Sequence, residues 1–465
     1  MTATPELRRD AREIFDAALR SVDAGLAVRR AVEVDGSRLK INETTLKLSK
    51  RGAGVYVVAI GKAALSMAAA LDEVLGEHVT AGLVVGQWAE SSRASTIASR
   101  HKAFSSSTRW RVLEGGHPLP NRASLIAAQA AFELLARAEA ERATLIFLIS
   151  GGGSAMIEWP RDDRITLREL RAANRLLVSC GASIAEINAV RRAFSAVKGG
   201  GLAARAPHAD QLTMIISDTG TGEEANVASG PTLAPPKASA SDAGRVVERY
   251  GLGSHLPSSI MRAINQPPIS KAAGPSRAVR EHYVLLDNLR ALEAARLEAR
   301  KRGLVVELAR DILEQPVEEG CTLMLTRLLA LYRRKMDARR GVCLISGGEF
   351  ACPVKGRGVG GRNLETTLRC AIEMDERYAE SSDGARLPAQ LVALSAGTDG
   401  IDGNSLAAGA LADHMTLERG RALGLDARRF LLASDAYSFF DALGDCIMTG
   451  PTGTNVRDVR IMLAG

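Results

Sequence analysis

The sequence predicts an α/β protein with more than one domain. Short apolar, β-branched runs end repeatedly in glycine and are followed by segments with helical periodicity, which indicates alternating strands and helices. At 465 residues the chain is too long for one ordinary hydrophobic core. Between Pro235 and Pro275 the composition shifts to Pro, Ser, Ala and Gly, and we interpret this stretch as the interdomain linker region.

Composition argues against several classes of protein. The chain has 46% hydrophobic and 24% charged residues, as globular proteins do, while 4% aromatic residues disfavour nucleic-acid binding by stacking. A net charge of +7 from scattered basic residues favours small anionic ligands only weakly. The N-terminus lacks a secretory apolar region, and no apolar stretch is long enough for a membrane span. Six cysteines without a C-x-x-C pair predict reduced thiols in a cytoplasmic protein.

The elements of the first half follow from apolar patterns and their breaks. A packing helix is predicted from Pro5 to about Val34, and helical periodicity returns between residues 166 and 203. Four apolar runs predict strands, and the alanine-rich and polar segments after them predict helices. The predicted strands are Val55–Ile60, Ala81–Val85, Thr144–Ile149 and Leu212–Ile216, and the helices between them are Ala63–Leu75 and Ser124–Glu139.

The second half shows the same alternation. After the linker we expect a second α/β unit that begins with a strand at Tyr283–Leu286. Its further strands are predicted at Val305–Leu308, Val342–Ile345 and Gln390–Ser395, with helices at Leu289–Lys301, about 320–337 and Leu364–Tyr378. In folds with alternating strands and helices, the carboxyl ends of the strands and the loops after them form the ligand-binding edge of the sheet.

Two charged residues follow buried strands in the first half. Lys62 comes just after Val55–Ile60, and Asp218 follows Leu212–Ile216. Because open α/β folds bind ligands at the carboxyl ends of their strands, we interpret Lys62 as a cation for a phosphate or carboxylate. Asp218 is interpreted as a metal-binding or basic carboxylate. The alternatives are a solvated lysine and an aspartate that caps a turn.

Small residues follow the strand Thr144–Ile149. We expect their backbone N–H groups to face an anion, and they are Ser150, Gly151, Gly152, Gly153 and Ser154. A nucleophilic serine is the competing interpretation, but the G-x-S-x-G elbow is absent. Further along, Arg191 and Lys198 are either cations of a cleft wall or ordinary surface charges.

The second half is organised around residues 342–365. An apolar run ends in Ser-Gly-Gly and Glu349, and a glycine loop then leads into a helix at Arg362. Glycines and a helix N-terminus suit an anion, with Arg362 as a bidentate cation and Glu349 as a hydrogen-bond acceptor or metal ligand. A turn-rich hairpin with a surface arginine is the alternative.

Two later loops carry further candidates. Asp399 and Asp402 stand in a glycine turn after the strand Gln390–Ser395 and suit Mg²⁺ or a substrate hydroxyl. The run Thr449–Asn455 is small, polar and rich in donors, so it either contacts a nucleotide or phosphate or forms a plain turn.

Taken as an ordered set, the motifs resemble those of the glycerate 2-kinase family, with its DUF4147 N-terminal and MOFRL-type C-terminal domains. The resemblance extends from about residue 55 to 460, and its specificity lies in the order rather than in any one motif. The matching pieces are Ala59–Ala63, Glu114–Pro118, Ser150–Ser154, Lys198–Gly200, Ile216–Asp218, Ala228–Thr232, Ser346–Glu349, Gly360–Asn363, Thr398–Gly403 and Thr449–Asn455.

The resemblance implies an N-terminal Rossmann-like three-layer α/β/α domain at 1–265 and a smaller C-terminal MOFRL-type α/β domain at 266–465, with the active site in the cleft between them. It implies transfer of the γ-phosphoryl group of ATP to the 2-hydroxyl of D-glycerate with Mg²⁺. Lys62, Arg362 and Asp218 match catalytic positions. The matching substrate or nucleotide positions are Ser150–Ser154, Lys198, Glu349, Asp399 and Asn455, and the metal-ligand candidates are Asp218, Glu349 and Asp399.

Departures from the family pattern concern the acceptor more than the reaction. Phe194 stands where many relatives have histidine, residues 219–224 lack their usual pattern, and Ser434–Tyr437 replaces an Asn-Asp-Ser run. The partners we expect are small molecules, with a homodimer as an option and neither nucleic acid nor membrane. The competing functions are an NAD(P)-dependent hydroxypyruvate reductase, which lacks a G-x-G-x-x-G after Val55–Ile60, and a non-catalytic anion-binding protein.

Overall fold

The computed structural model of the chain describes residues 4–48, 54–87, 104, 107–233, 242–266, 277–335, 340–380 and 387–465. The chain forms two compact units. One unit is Ala24–Leu286, and the other combines Met1–Asp23 with Asp287–Gly465. Within the described residues, no helix is long and apolar enough to cross a membrane. The α/β fold class is confirmed, whereas this division differs from the expected boundary between 265 and 266.

The N-terminal helical segment is divided between the units. Helix α1 (Thr4–Ser21) belongs with the C-terminal residues, and helix α2 (Ala24–Ala31) begins the other unit. The apolar face of α1, which includes Ile14 and Phe15, is fully buried. Arg302 also donates from Nη1 to Asp10 Oδ1 on α1 at 2.7 Å. These long-range contacts explain why the helix predicted from Pro5 to Val34 is two helices in two units.

The unit Ala24–Leu286 is built on a parallel sheet. A small antiparallel sheet of β1 (Val32–Asp35), β2 (Arg38–Ile41) and β3 (Thr44–Lys47) precedes it. The large sheet has the order β6-β5-β4-β7-β8-β9, and all its neighbours are parallel. Its strands are β4 (Val55–Ile60), β5 (Val79–Gly86), β6 (Trp110–Glu114), β7 (Thr144–Ser150), β8 (Asp210–Ile216) and β9 (Arg280–Leu286). Every residue of β4 and β7 is buried, as expected for strands covered on both faces.

Local sequence sets the start of three helices in this unit. The helices of the unit after α2 are α3 (Ala64–Leu75), α4 (Arg122–Glu141), α5 (Gly153–Met156), α6 (Leu167–Ser179), α7 (Ile184–Phe194), α8 (Ala243–Arg249) and α9 (Ser258–Asn265). Asn121, Thr166 and Ser183 cap α4, α6 and α7, and each accepts a hydrogen bond from the backbone three residues later. The side chain at that later position bonds back to the cap, which completes a capping box.

The interpretation of 235–275 as an interdomain linker is wrong for its described part. Helices α8 and α9 pack onto α6 and α7 through buried apolar residues that include Val246, Ile260 and Leu170. Strand β9, expected to open the second α/β unit, pairs with β8 at the edge of the parallel sheet. Residues 234–241 and 267–276 lie outside the described residues. The Pro- and Ser-rich composition obscured two short amphipathic helices whose apolar partners are distant in sequence.

The other unit has a mixed six-stranded sheet with the order β10-β11-β15-β12-β13-β14. Only β10 and β11 are parallel neighbours, and the remaining pairs are antiparallel. The strands are β10 (Val305–Ala309), β11 (Val342–Gly348), β12 (Leu391–Gly397), β13 (Gly409–Asp413), β14 (Cys446–Ile447) and β15 (Asp458–Ala464). The helices after α9 are α10 (Asn288–Lys301), α11 (Val317–Arg334), α12 (Arg362–Glu380), α13 (Thr416–Ala422), α14 (Ala427–Leu432) and α15 (Ala436–Leu443).

The last strand of the chain brings three strand ends together. Strand β15 lies between β11 and β12 and is antiparallel to both, so β11 and β12 run in the same direction. Asp458, the first residue of β15, pairs with Gly348 at the end of β11 and with Gly397 at the end of β12. The loops after β11 and β12 therefore leave the sheet on either side of Asp458.

Candidate active site

Lys62 is fixed by the turn between β4 and α3. Gly61 has φ +115°, and a Cβ there would collide with the Ser150 carbonyl, so glycine is required. The Lys62 N–H donates to the Gly151 carbonyl at 3.0 Å, and the Ala63 N–H donates to Ser150 Oγ at 3.0 Å. The turn after β4 is thus bonded to the loop after β7, and the half-buried Lys62 lies at the carboxyl edge of the sheet.

Asp218 and Lys62 both lie against the glycine turn after β7. A Cβ at Gly151 would collide with Asp218 Oδ2, and one at Gly152 would lie 3.2 Å from Lys62 Cγ. Strands β4, β7 and β8 are neighbours, so the parallel register itself brings their carboxyl ends together. The structure therefore clusters Lys62, the loop Ser150–Gly153 and Asp218 in one unit, which we call the β4-β7-β8 edge.

A turn at residues 226–230 packs on the other side of this loop. Ser154 Oγ is hydrogen-bonded to Ser229 Oγ, and a Cβ at Gly153 would lie 2.9 Å from Ala228 Cβ. Ser229 Oγ donates to Asn188 Oδ1 on α7 at 2.7 Å. Ala228 and Ser229 have φ of +51° and +62°, which is unfavourable for residues with a Cβ. Tertiary contacts thus hold a strained turn next to Ser154.

Lys198 has a buried carboxylate as its partner. Its Nζ forms an ion pair with Glu158, and both side chains are 1% exposed. Ser195 Oγ donates to the other oxygen of Glu158 at 2.5 Å. Burial lowers the pKa of Lys198, while Glu158 opposes that shift. The expected role of Lys198 in binding substrate or nucleotide stays a prediction, and the contacts favour a brace for the Lys198–Gly200 loop.

Two residues shortly before Lys198 in the sequence, Arg191 and Phe194, also have structural roles. Arg191 is buried and donates from Nε to Asn174 Oδ1 at 2.9 Å, so it is not a surface charge. Phe194, where the resemblance leads us to expect a histidine, is completely buried and packs in the cluster of α6, α7 and α9. This position therefore serves the hydrophobic core of the unit.

In the other unit, Arg362 is held between two carboxylates. Its Nε donates to Asp458 Oδ2 at 2.6 Å and its Nη2 to Asp458 Oδ1 at 3.1 Å, while Nη2 also lies 2.9 Å from Glu349 Oε1. The Asp458 side chain is 1% exposed and the Arg362 side chain 35%. Burial lowers the pKa of Arg362, but the two carboxylates more than offset this and raise it. Asp458 therefore fixes a permanent cation at the meeting point of β11, β12 and β15.

A second buried carboxyl lies behind Arg362. Asp402 Oδ1 accepts from the Asn363 N–H at 3.1 Å, and Asp402 Oδ2 accepts from the Leu364 N–H at 2.8 Å. Asn363 Nδ2 donates to Asp458 Oδ1 at 3.0 Å, and Ser395 Oγ donates to Asn363 Oδ1 at 2.6 Å. Asp402 is thus an N-terminal cap of α12, which argues against its expected role as a ligand for Mg²⁺ or substrate.

The pKa values of Asp402 and Asp458 are shifted in opposite directions. Burial raises the pKa of Asp402 to about 7, against two backbone N–H bonds that lower it. Burial also acts to raise the pKa of Asp458, but the Arg362 guanidinium holds it below the usual range. The network therefore carries one firmly ionised carboxylate, on Asp458, and one that titrates near neutrality.

The glycine loop before α12 is braced by protein groups rather than open to an anion. The N–H of Gly358 donates to the Ala433 carbonyl at 2.9 Å, and that of Val359 donates to Asp435 Oδ1 at 2.9 Å. The Gly360 N–H donates to Asn404 Oδ1 at 2.8 Å. The partners of these three backbone groups argue against the interpretation of the loop as an anion cradle. The loop instead forms one wall of a cavity of about 490 Å³ that Arg362 and Asp402 also line.

Asp399 and Asn455 lie in two loops that pack on each other. Asp399 Oδ1 accepts from the Ile401 N–H at 3.3 Å, and the Asp399 carbonyl accepts from the Thr452 N–H at 3.2 Å. Asn455 Oδ1 accepts from the Arg457 N–H at 3.1 Å. Asn455 thus caps its own turn, which was one of the open alternatives, and its role in binding a nucleotide stays a prediction.

A metal site was expected among Asp218, Glu349 and Asp399. No group of three or more His, Cys, Asp or Glu side chains in the described ranges is arranged to hold a metal ion. Glu349 is engaged with Arg362, which makes it a poorer ligand. Mg²⁺ in phosphoryl-transfer sites is commonly bound through one or two carboxylates and the substrate phosphates, and such a site needs no cluster of three.

Asp402 gives a testable dependence of stability on pH. Its pKa is about 7 in the folded chain against an ordinary 3.8, so between these values the folded state binds one proton more than the unfolded state. The free energy of unfolding should therefore fall as the pH rises through this window, by up to about 1.4 kcal/mol per pH unit. Asp402→Asn should remove this slope in urea or thermal unfolding.

The matched control is Asp426→Asn, which changes an exposed N-cap of α14 in the same unit. This control should keep the wild-type slope between about pH 4 and about pH 7. Equal slopes for wild type and Asp402→Asn would show that Asp402 titrates at its ordinary value and is not the buried acid described above.

Sequence reasoning missed Asp458 and Asn363 as the residues that position Arg362. The available signal was a pair of charged residues at the start of an otherwise apolar final strand, since Asp458 and Arg460 are the first and third residues of β15. Both are buried, and Arg460 Nε donates to Ser346 Oγ at 3.0 Å. Buried charges are rarely tolerated without partners, so such a pair in a strand indicates a polar network.

Each unit presents charged side chains at the ends of buried strands, which is the position where α/β enzymes bind small ligands. Residues 10–265 match a family described as a domain of unknown function (DUF4147), and residues 342–458 match the MOFRL family. The chain is 32% identical over 438 residues to the D-glycerate 2-kinase of Thermotoga maritima, with 94% of this chain and 96% of that protein covered. The chain belongs to the glycerate 2-kinase family.

Two further relatives cover nearly the whole chain. The crystal structure of glycerate kinase from Thermotoga maritima matches with a TM-score of 0.75 at 29% identity, over 99% of this chain and 100% of that one. A protein of Agrobacterium vitis provisionally named hydroxypyruvate reductase is 35% identical over 464 residues, which are 98% of this chain and 94% of that protein.

Proposed function

We propose that this chain transfers the γ-phosphoryl group of ATP to the 2-hydroxyl of D-glycerate and releases ADP and 2-phosphoglycerate. The observation that carries the proposal is the full-length similarity to a D-glycerate 2-kinase. Lys62, Asp218 and Arg362 are the catalytic candidates that the motif resemblance implies. The fixed cations agree with it, because phosphoryl transfer depends on positioning and charge neutralisation more than on covalent catalysis.

In this mechanism the cations meet the phosphoryl group and the acid. Lys62 and Arg362 neutralise the phosphate and carboxylate oxygens, and Asp218 orients the 2-hydroxyl and takes its proton as the new O–P bond forms. The bond from the γ-phosphorus to the ADP oxygen breaks in the same step. Asp458 supports this role of Arg362 by fixing two guanidinium nitrogens, which removes the cost of ordering the side chain during the reaction.

The nucleotide substrate would be the Mg²⁺ complex of ATP, and the ion would supply neutralisation of phosphate charge. Asp399 is the proposed carboxylate for it, since Glu349 is paired with Arg362 and Asp218 is assigned to the hydroxyl. Small molecules are the proposed partners. A cytoplasmic location and a homodimer stay predictions.

The deciding experiment identifies the product. Purified protein with ATP, Mg²⁺ and D-glycerate should give 2-phosphoglycerate in ³¹P and ¹H NMR spectra, and L-glycerate, glycolate and D-lactate in parallel reactions define the acceptor. The 3-phosphate would contradict the proposed position of transfer. Absence of any phosphorylated acid across the panel would contradict the kinase activity itself.

The second candidate is a hydroxypyruvate reductase, because a relative carries that provisional name. The turn after β4 reads Gly61-Lys62-Ala63 rather than a dinucleotide glycine fingerprint, and the Lys62 N–H is bonded to Gly151. We expect no change in NADH or NADPH absorbance with hydroxypyruvate. Rapid oxidation of either cofactor would replace the kinase proposal.

A further inference from the structure

Arg192 is a partly buried cation whose charge no described carboxylate neutralises. The residue lies in the last turn of α7, and its Nη1 is buried without a hydrogen-bond partner. In the part of the chain that the structure describes, no carboxylate pairs with its guanidinium. Burial lowers the pKa of Arg192, with no opposing contribution from a neighbouring acid. An unpaired guanidinium in such a place is costly, so its presence needs an explanation.

The neighbouring basic residues show how this chain normally treats buried cations. Lys198 is paired with Glu158, and Arg191 donates to Asn174. The C-terminus of α7 favours a cation electrostatically, but this applies equally to Arg191 and gives Nη1 of Arg192 no acceptor. Arg192 therefore differs from these two residues, because none of the described residues is its partner. A cation that meets an external anion is left unpaired by the protein in this way.

Contacts connect Arg192 to the β4-β7-β8 edge. Its Cδ lies against Gly199, where a Cβ would be 2.7 Å away. The Gly199 N–H donates to the Ser229 carbonyl at 3.1 Å, and Ser229 Oγ is bonded to Ser154 in the loop after β7. Asn188, one helical turn before Arg192 on the same face of α7, also accepts from Ser229 Oγ. Arg192 therefore lies beside the strained turn that packs on Ser154.

We propose that Arg192 is an anion-binding residue of this unit, and that it receives an oxyanion group of a substrate beside the Ser229 turn. The group is either the carboxylate of the hydroxy acid or a phosphate of the nucleotide, and a guanidinium binds both through paired N–H groups. The assignment of these ligands rests on the proposed function. The inference that Arg192 binds an oxyanion rests on its unpaired guanidinium.

The experiment compares Arg192→Met, Arg192→Lys and wild type. Isothermal calorimetry with D-glycerate, with ATP and with inorganic phosphate measures affinity without turnover. Arg192→Met should weaken binding of at least one of them by about tenfold or more, the loss expected for a hydrogen bond to a charged group. Weaker D-glycerate binding identifies the carboxylate as the bound group, and weaker ATP binding identifies a phosphate. Arg192→Lys should recover part of the affinity.

Stability provides an independent readout. Because Arg192→Met removes an unpaired buried charge, its Tm should equal or exceed that of wild type, whereas a structural cation would lower it. The matched control is Arg249→Met, which removes an exposed arginine paired with Glu186 and should leave all three affinities unchanged.

The outcomes separate this inference from the proposed function. Unchanged affinities in folded Arg192→Met, or no binding of any of the three ligands by wild type, would overturn the inference. Wild-type protein that binds D-glycerate or phosphate in an Arg192-dependent manner but transfers no phosphoryl group would support the inference and remove the kinase proposal. Normal turnover with unaltered KM values in Arg192→Met would support the kinase proposal and remove the inference about Arg192.

Discussion

Arg362→Ala should lower kcat/KM for phosphorylation of D-glycerate by at least about 10²-fold, the loss expected when a fixed cation no longer meets the charge of the transition state. The effect should be large because Asp458 and Glu349 hold Nε and Nη2 in place, so the guanidinium is ordered before substrate binds. Steady-state kinetics with saturating ATP and varied D-glycerate give the measurement.

Two further variants separate charge from geometry at this position. Arg362→Lys keeps the charge but cannot make the paired bonds to Asp458, so it should recover only a minor part of the activity. Arg377→Ala is the matched control, because Arg377 lies on the same helix and pairs with Glu373 away from the network. Near-wild-type turnover in Arg362→Ala would remove this residue from the proposed mechanism.

The Arg362→Ala result needs a check on folding, since removal of this guanidinium leaves the Asp458 carboxylate buried and unpaired. Breaking a buried ion pair costs about 3–5 kcal/mol when one partner stays charged. Arg362→Ala combined with Asp458→Asn removes that penalty. The double variant should recover Tm without recovering kcat, which distinguishes a lost catalytic cation from a loss of fold.

The β4-β7-β8 edge could be predicted from the sequence because its geometry is local to each strand. Lys62 and Asp218 each follow an apolar run, and parallel neighbours place their carboxyl ends on one side of a sheet. The order of the strands in the sheet could not be predicted from the apolar pattern of the sequence. In that order β7 lies between β4 and β8. Ser150 and the glycines after it therefore lie between Lys62 and Asp218.

The network around Arg362 was only half predictable. The glycine loop and the start of α12 were recognisable, but Asp458 reaches Arg362 through the insertion of β15 between β11 and β12. No local pattern states where a final strand will pair. The same limit explains the errors over β9 and α1, whose partners lie far away in the chain and whose own sequences suit several positions equally well.

The glycine loop also shows that a motif can be located correctly while its contacts argue against the interpretation given to it. The sequence predicts that the glycines of this loop donate to an anion, yet the N–H groups of Gly358 and Gly360 donate to a carbonyl and to a side-chain amide oxygen of the protein. Composition indicates that a backbone approaches something closely, but not what it approaches. Here Asp402 occupies the start of α12, so the anion-binding capacity of this region rests on the side chain of Arg362.

Lys62→Met should also lower kcat/KM by at least about 10²-fold, or about 2.7 kcal/mol of transition-state stabilisation. Methionine keeps most of the apolar stem that packs against Gly152, so the variant removes the ammonium group with little loss of contact. If Lys62 meets charge that develops during transfer, kcat should fall more than KM rises. A rise in KM alone would instead assign Lys62 to ground-state binding of a phosphate or carboxylate.

The control for Lys62 is Lys40→Met, which removes an exposed lysine paired with Glu33 on the small antiparallel sheet and should leave kcat unchanged. Turnover of Lys62→Met near that of wild type would contradict the catalytic role. Such a result would be informative about the fold as well, because Gly61 and Ser150 constrain this turn irrespective of the lysine side chain. The strand-end position of Lys62 would then reflect the packing of two loops, and the cationic chemistry of this unit would fall to Arg192.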